Sequence, residues 1–501
     1  MDASQLLHAD LFDLLRQPLG GKTRDMDAWL AGIKTAPPET AALELAQRLA
    51  TEVAQEAAPE MRFKLLGACD AAAEKILPAL EAATEAASLP LTPAALRAAL
   101  AADSLLKTLA TGYVTLMTDV AADKTSDPSG KMLQAAARRA TQTLSRRQLV
   151  DFRAHASPSA ASWKLLHETY RLALGHGLTA ADNDGDGTSI TREYIAALLF
   201  ALAEPGRLPR EQLGRIHAFI AGLANLARLD AVGAASDEAA CRFLVASDPG
   251  HPAQSMPRLP EGKTPPPQGL ALDCTDIVAE IDRMIAAGAA EPLPLETLRL
   301  LRDAWSAAAT SPRRFSRMQF KPRVDMIAGL PAILRLLAGK SLGRRQSDSS
   351  RREEEESGEW LVINESPDGF GIRNLGGEAP PLAIGDLVVL RPREHGKIHI
   401  CLVRRGNQGT REPLELGVQL LSSNACVIPL PSEDILAMGQ QGILLPQLPA
   451  FGNAAGLITA AGALTPRSVI TENQAGSLKY YRLGARIATS TAIDFHLLQS
   501  A

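Results

Sequence analysis

Alanine dominates the first third of this chain, and that bias limits what the region can fold into. A methyl side chain costs no rotamer entropy in a helix and lets neighbouring backbones approach closely. Aromatic residues make up only 4% of the chain, so bulk must come from leucine and from close packing. Apolar positions recur at spacings of three and four over 38–57, 59–87, 92–110, 130–154, 160–176, 191–204 and 209–228, which predicts helices. Prolines 37, 38, 59, 90 and 93 fall at helix starts or in the breaks between them. Thr92 followed by Pro93 reads as an N-cap with proline at the first helical position. A helical domain over 1–230 follows. No fixed-period repeat supports a solenoid.

The texture changes from about residue 231. Cys241–Val245 and Gly269–Asp273 read as short strands around a Pro/Gly-rich loop at 248–268. Helices follow near 275–287 and 294–309, so 231–310 reads as a small α/β connector. From 311 the signals are short, β-branched or alternating runs at 320–327, 359–364, 370–374, 386–391, 397–404, 414–422, 442–446, 455–459 and 480–496, separated by turn residues. Their spacing suits an antiparallel β-barrel at 311–430 with an additional β segment at 431–501. Gly329–Leu337 interrupts as a short helix. The insertion at about 340–358 carries arginines and then Glu353–Glu356, a polar linker with charge blocks of both signs. The expected fold class is multidomain α + β, with a large all-α N-terminal region.

Hydrophobic residues at 46% supply real cores, and a net charge of −4 creates no global field toward nucleic acid or membrane. The five cysteines form no C-x-x-C pair, which disfavours a zinc site or a disulfide framework. The opening residues do not read as a signal peptide, and no run of apolar residues is long enough to span a bilayer. A cytoplasmic protein is expected, with no nucleic-acid partner and no membrane span. No nucleophile–base arrangement argues for an enzyme.

Two short motifs carry the functional expectation. Arg313-Arg314-Phe315-Ser316-Arg317 reads R-x-x-x-R. Guanidinium forks match phosphate oxygens bidentately and stack on purine faces. Asn364-Glu365-Ser366-Pro367-Asp368-Gly369 reads N-x-S-x-x-G. Asn364 and Ser366 alternate along a strand and so share one face. An Asn amide offers donors and an acceptor to a base edge, and Gly369 can take a positive φ at the turn. Read from the residues alone, the arginines could instead be solvated residues at a helix-to-strand junction, and 364–369 an ordinary hairpin turn.

Together, and with Ile400–Arg405 and Leu416–Leu421 behind them, these motifs resemble the ligand signature of the PilZ domain, a small β-barrel that binds cyclic di-GMP in many bacterial proteins. The resemblance covers about 311–430. It implies that Arg313, Arg314 and Arg317 grip phosphate and guanine while Asn364, Ser366 and Gly369 read the base from the barrel surface. It further implies an effector that binds cyclic di-GMP, rearranges its domains and alters contact with a protein partner of a motility, adhesion or secretion system. The segment between the motifs is longer than the family pattern. The alternative is a PilZ-like adaptor that binds no nucleotide and works by protein contacts alone.

A third motif is Asp182-Asn183-Asp184-Gly185-Asp186-Gly187 with Glu193, the D-x-D-x-D-G-x5-E pattern of a calcium loop. Alternating carboxylates with a distal Glu can wrap a hard cation, so Asp182, Asp184, Asp186 and Glu193 are candidate calcium ligands. Ser189 stands where such loops carry an apolar residue, and no second loop appears. The bland alternative is an Asx- and Gly-rich interhelical loop, with Thr188 or Ser189 capping the next helix.

Overall fold

The computed structural model describes residues 26–33, 36–55, 58–85, 88–123, 127, 130–179, 189–232, 241–245, 250–255, 269–288, 291–306, 322–341, 358–376, 379–393, 397–408, 413–431, 440–448, 451–465, 469–474, 477–490 and 492–500. The chain divides into two compact units. One holds residues up to 87 and 91–312, and the other holds 88–90 and 313–501. The multidomain α + β architecture expected from the sequence is the one observed.

The first unit is built from helices α1 (Met26–Ile33), α2 (Pro38–Gln55), α3 (Pro59–Glu85), α4 (Pro93–Ala122), α5 (Lys131–Arg153), α6 (Ala160–Gly175), α7 (Ile190–Leu202) and α8 (Leu213–Leu223). Thr92 caps α4, its hydroxyl accepting from the Ala95 N–H, with Pro93 in the first turn. Ser189 caps α7 by accepting from the Arg192 N–H at 3.1 Å. Helix α4 runs twelve residues past the end the spacing predicts at 110, out to Ala122. Gly112 does not break it, because the residue faces Leu66 of α3. A Cβ there would lie 2.6 Å from a Leu66 methyl. Alanines 98, 101 and 102 of α4 and 136, 137 and 140 of α5 are buried in one core with Leu105, Leu109, Leu116 and Leu144. Each fully buried leucine contributes about 1.5–3 kcal/mol.

Past α8, β1 (Arg228–Ala231), β2 (Arg242–Val245), β3 (Gln254–Ser255) and β4 (Leu270–Asp273) form a sheet in the order β1-β4-β2-β3. Helices α9 (Thr275–Ala286) and α10 (Leu295–Trp305) follow. Phe243, Leu272, Ile277, Leu301 and Trp305 belong to the same core cluster as the helices before them. His167 ties the layers together. Its Nε2 donates to the carbonyl of His251 at 2.9 Å, which leaves Nδ1 to accept from the Tyr194 hydroxyl at 2.5 Å.

The second unit contains β5 (Arg323–Ala328), α11 (Leu330–Ser341), β6 (Gly358–Ser366), β7 (Gly369–Gly376), β8 (Leu387–Pro392), β9 (His399–Asn407) and β10 (Glu415–Ser422). The six strands close into an antiparallel barrel in the order β10-β7-β6-β5-β8-β9. Val324, Met326, Trp360, Val362, Ile372, Val388, Leu390, Cys401, Val403, Leu416 and Val418 fill its interior. Leu89 joins that cluster and exchanges two backbone hydrogen bonds with Leu382, at 2.8 and 2.7 Å. A second sheet follows from β11 (Cys426–Pro429), β12 (Gln441–Leu448), β13 (Ala454–Ala460), β14 (Val469–Gln474), β15 (Ser477–Thr489) and β16 (Ile493–Ser500), in the order β11-β12-β13-β16-β15-β14. Its Ile443, Leu445, Ile458 and Phe495 pack with Ile333 and Leu337 of α11 and with Leu387, Ile400 and Leu402 of the barrel. The run 480–496, expected as one strand, is two strands with a turn at Ser490. The Ser490 hydroxyl accepts from the N–H groups of Ala492 and Ile493, both at 3.2 Å. The polar insertion at about 340–358 lies almost wholly outside the described residues.

Candidate functional site

Strands β6 and β7 form a hairpin joined by Pro367 and Asp368, and the N-x-S-x-x-G motif spans it. Val362 pairs with Ile372 and both point into the barrel. The next pair is Asn364 with Gly371, so Ile363 is an extra residue in β6, a β-bulge. Strand side chains alternate with period two. The bulge shifts that parity, and Asn364 and Ser366 therefore face outward with Gly371 and Gly369 rather than into the core.

Glycines form the floor of this outer face, and Gly369 and Gly371 are buried in it. Gly371 pairs with Gly417 of β10, and Gly417 pairs with Arg405 of β9. One row across the barrel thus reads Asn364, Gly371, Gly417, Arg405. The next row reads Ser366, Gly369, Gln419, Leu402. The nearest atoms to a Cβ built on Gly371 are those of the Asn364 amide, at 2.5–2.8 Å. The Asn364 side chain therefore lies across the glycine. Gly369 has φ +153°, and a Cβ there would lie 2.0 Å from the Val418 carbonyl oxygen. Only glycine allows that close approach to β10. The Ser366 hydroxyl donates to the Gly369 carbonyl at 3.3 Å, which holds the hairpin end.

The charges around the face are sorted. Arg373 pairs with Glu415 at 2.6 Å, Arg323 with Glu359 at 2.7 Å, and Arg391 and Arg393 with Asp325 at 3.2 and 2.9 Å. Arg404 donates through Nε to the neutral Gln419 Oε1 at 2.8 Å. That bond occupies the Gln419 carbonyl and leaves its NH₂ as the polar end offered to the face. Arg405 is exposed and pairs with no carboxylate among the described residues. His399 packs against Phe370 with ring centroids 5.3 Å apart and shares a 2.9 Å hydrogen bond with the Ser423 hydroxyl. Burial holds its imidazole below the usual range, with Lys397 adding to the effect.

The glycine floor seats the Asn364 amide low, so a planar ring can lie over that amide. An amide on one wall supplies a donor and an acceptor, and a guanidinium on the other supplies a phosphate ligand or a stacking surface. The sequence motif marks only the Asn364 wall. Gly371, Gly417, Gln419 and Arg405 join it through strand pairing, a register that no motif spacing announces. Arg313, Arg314 and Arg317 lie outside the described residues.

The calcium candidates are divided. Asp182, Asp184 and Asp186 lie outside the described residues. Glu193 sits in the first turn of α7, where its N–H donates to the Ser189 carbonyl at 3.1 Å. Among the described residues no group of three or more His, Cys, Asp and Glu side chains could hold a metal. None of the described helices is long and apolar enough to cross a membrane.

The molecule is thus a mainly helical unit with a small four-stranded sheet, followed by a closed β-barrel with a second sheet, and the barrel carries a polar, glycine-floored outer face. Residues 24–235 match a protein-family model described as the N-terminal domain of the cyclic-di-GMP receptor FimW. The matched stretch is the helical part of the chain and stops short of the barrel. Among curated proteins none matches.

Proposed function

We propose that this protein is a cyclic di-GMP receptor whose barrel is a PilZ-like ligand domain. The observation that carries this reading is the outward row Asn364, Gly371, Gly417, Arg405, in a chain whose helical part is similar to part of a cyclic-di-GMP receptor. Asn364 and Ser366 read a guanine edge laid over the glycine floor. Arg313, Arg314 and Arg317, next to the barrel in sequence, grip phosphate. Each charge-assisted bond of this kind contributes about 1.5–3 kcal/mol, against the entropy of ordering the segment that bears them. The ligand leaves unchanged, so the protein is a receptor and not an enzyme.

Binding orders the arginine lead-in and so alters what the helical unit offers to a protein partner, of the motility, adhesion or secretion type. A ligand moves such an equilibrium only by its differential affinity for the two arrangements. The test is a calorimetric titration of the full chain with cyclic di-GMP. Micromolar or tighter binding is expected, weakened at least about tenfold, or about 1.4 kcal/mol, in Arg317→Ala and in Asn364→Ala. No heat with the unaltered chain would end the receptor reading and leave an adaptor acting through protein contacts.

A further inference from the structure

Cys241 immediately precedes β2 and Cys274 immediately follows β4. The β2–β4 register pairs Arg242 with Asp273 and Phe243 with Leu272. Carried one step outward, it sets Cys241 opposite Cys274. The Cys274 N–H donates to the Cys241 carbonyl at 2.9 Å, which fixes that pairing. Across a hydrogen-bonded antiparallel pair the Cα atoms stand about 5.5 Å apart. A disulfide spans Cα separations of about 4.4–6.8 Å.

Alternation along the strands places both thiols on one face. Arg242 and Asp273 point to the other, where they form an ion pair at 3.4 Å. Phe243, Leu272 and Cys274 are buried, and Cys241 is half-buried. Both cysteines are reduced. Burial pushes the Cys274 thiol well up, and the neighbouring Cys241 adds to that. The remaining cysteines lack such a partner. Cys401 stands opposite Val388 and Cys426 opposite Leu444, while Cys69 lies within α3.

We propose that Cys241 and Cys274 are a redox-responsive pair that closes into a cross-strand disulfide when the protein meets a hydroperoxide. Cys241 is the more accessible sulfur and reacts first. Its thiolate attacks a peroxide oxygen, the O–O bond breaks, and the alkoxide or hydroxide leaves, taking up the proton that the thiol released, as alcohol or water, which gives a sulfenic acid. The Cys274 sulfur then attacks the Cys241 sulfur, and the hydroxyl departs as water with the Cys274 proton. Two thiols lose two electrons, and the peroxide accepts them. Because Cys274 is also the residue that opens α9, the bond would tie the start of β2 to the start of that helix.

The test uses the full chain. It is treated with hydrogen peroxide, alkylated under denaturing conditions, digested and analysed by mass spectrometry. Peptides bearing Cys241 and Cys274 should be recovered joined, with the loss of two hydrogens. The product should revert with dithiothreitol and be absent from Cys241→Ser and Cys274→Ser. Recovery of both peptides separately, with Cys241 overoxidised or with Cys274 still open to alkylation, would overturn the proposal. So would a joined product that uses any other cysteine.

Discussion

The helical unit and the barrel use small residues for opposite ends. In the helical unit the absence of a side chain is filled by a neighbour. Ala101 of α4 and Ala137 of α5 are wholly buried, and Leu66 lies against Gly112. In the barrel the absence seats a polar side chain. Gly371 meets the Asn364 amide and Gly417 meets the Cβ of Arg405, 3.2 Å from where its own Cβ would stand. The difference lies in what each position faces. A helix in a bundle presents a small residue to another apolar surface, which closes on it. A barrel strand presents every second residue outward, where a small residue leaves room for a polar side chain to lie across the sheet.

Four changes would break or sharpen that contrast. The largest effect is expected from Gly369→Val. The new side chain meets the Val418 carbonyl at a positive φ, and the barrel should lose about 3 kcal/mol or more, read by denaturant unfolding. Ala137→Leu should cost about 1–3 kcal/mol by overpacking, read as an earlier loss of the helical circular dichroism signal.

Asp151→Asn tests the helical unit in the other direction. Burial, with Asp103 nearby, raises the Asp151 carboxyl to about 7. The folded state therefore holds a proton that the unfolded state has released. Stability from this group is complete below its unfolded pKa and is lost as pH rises toward 7. The variant should gain about 1–2 kcal/mol near pH 8 and almost nothing near pH 4. Arg147 and partial hydration keep the gain below the full value, about 1.4 kcal/mol for each pH unit between the folded and unfolded pKa. An equal gain at both pH values would show that charge is not the cause.

Gly371→Ala should be the mildest for the fold, because the atom it strikes ends a side chain that can swing aside. Its stability should change by under about 1 kcal/mol, while cyclic di-GMP binding should weaken about tenfold as the Asn364 amide moves. Unchanged affinity would mean that the glycine floor is not where the ligand lies.

Much of the fold is legible in the sequence because local signals agree with it. Thr92-Pro93 and Ser189 announce helix starts, and the strands at 359–364, 370–374 and 414–422 fall within or almost within observed ones. What escapes is set by tertiary pairing. Helix α4 outruns its expected end at 110, and Leu66 packs against Gly112 in the added stretch. The turn after β15 is closed by the Ser490 hydroxyl, with none of the glycine or proline that usually marks such a bend. Strands β1, β3, β11 and β14 are short or ambiguous alone and become strands by having partners. The candidate site divides likewise. Asn364, Ser366 and Gly369 stand in one local motif, whereas Gly417 and Arg405 arrive from strands more than thirty residues away.

Ile363 has an evolutionary implication. Loss of that one codon would return the hairpin to strict alternation and set Asn364 directly after the inward Val362, still opposite Gly371 and still outward. The reading face would thus outlast a single three-base deletion, and a descendant could shed the bulge while keeping the pairs Asn364–Gly371 and Ser366–Gly369.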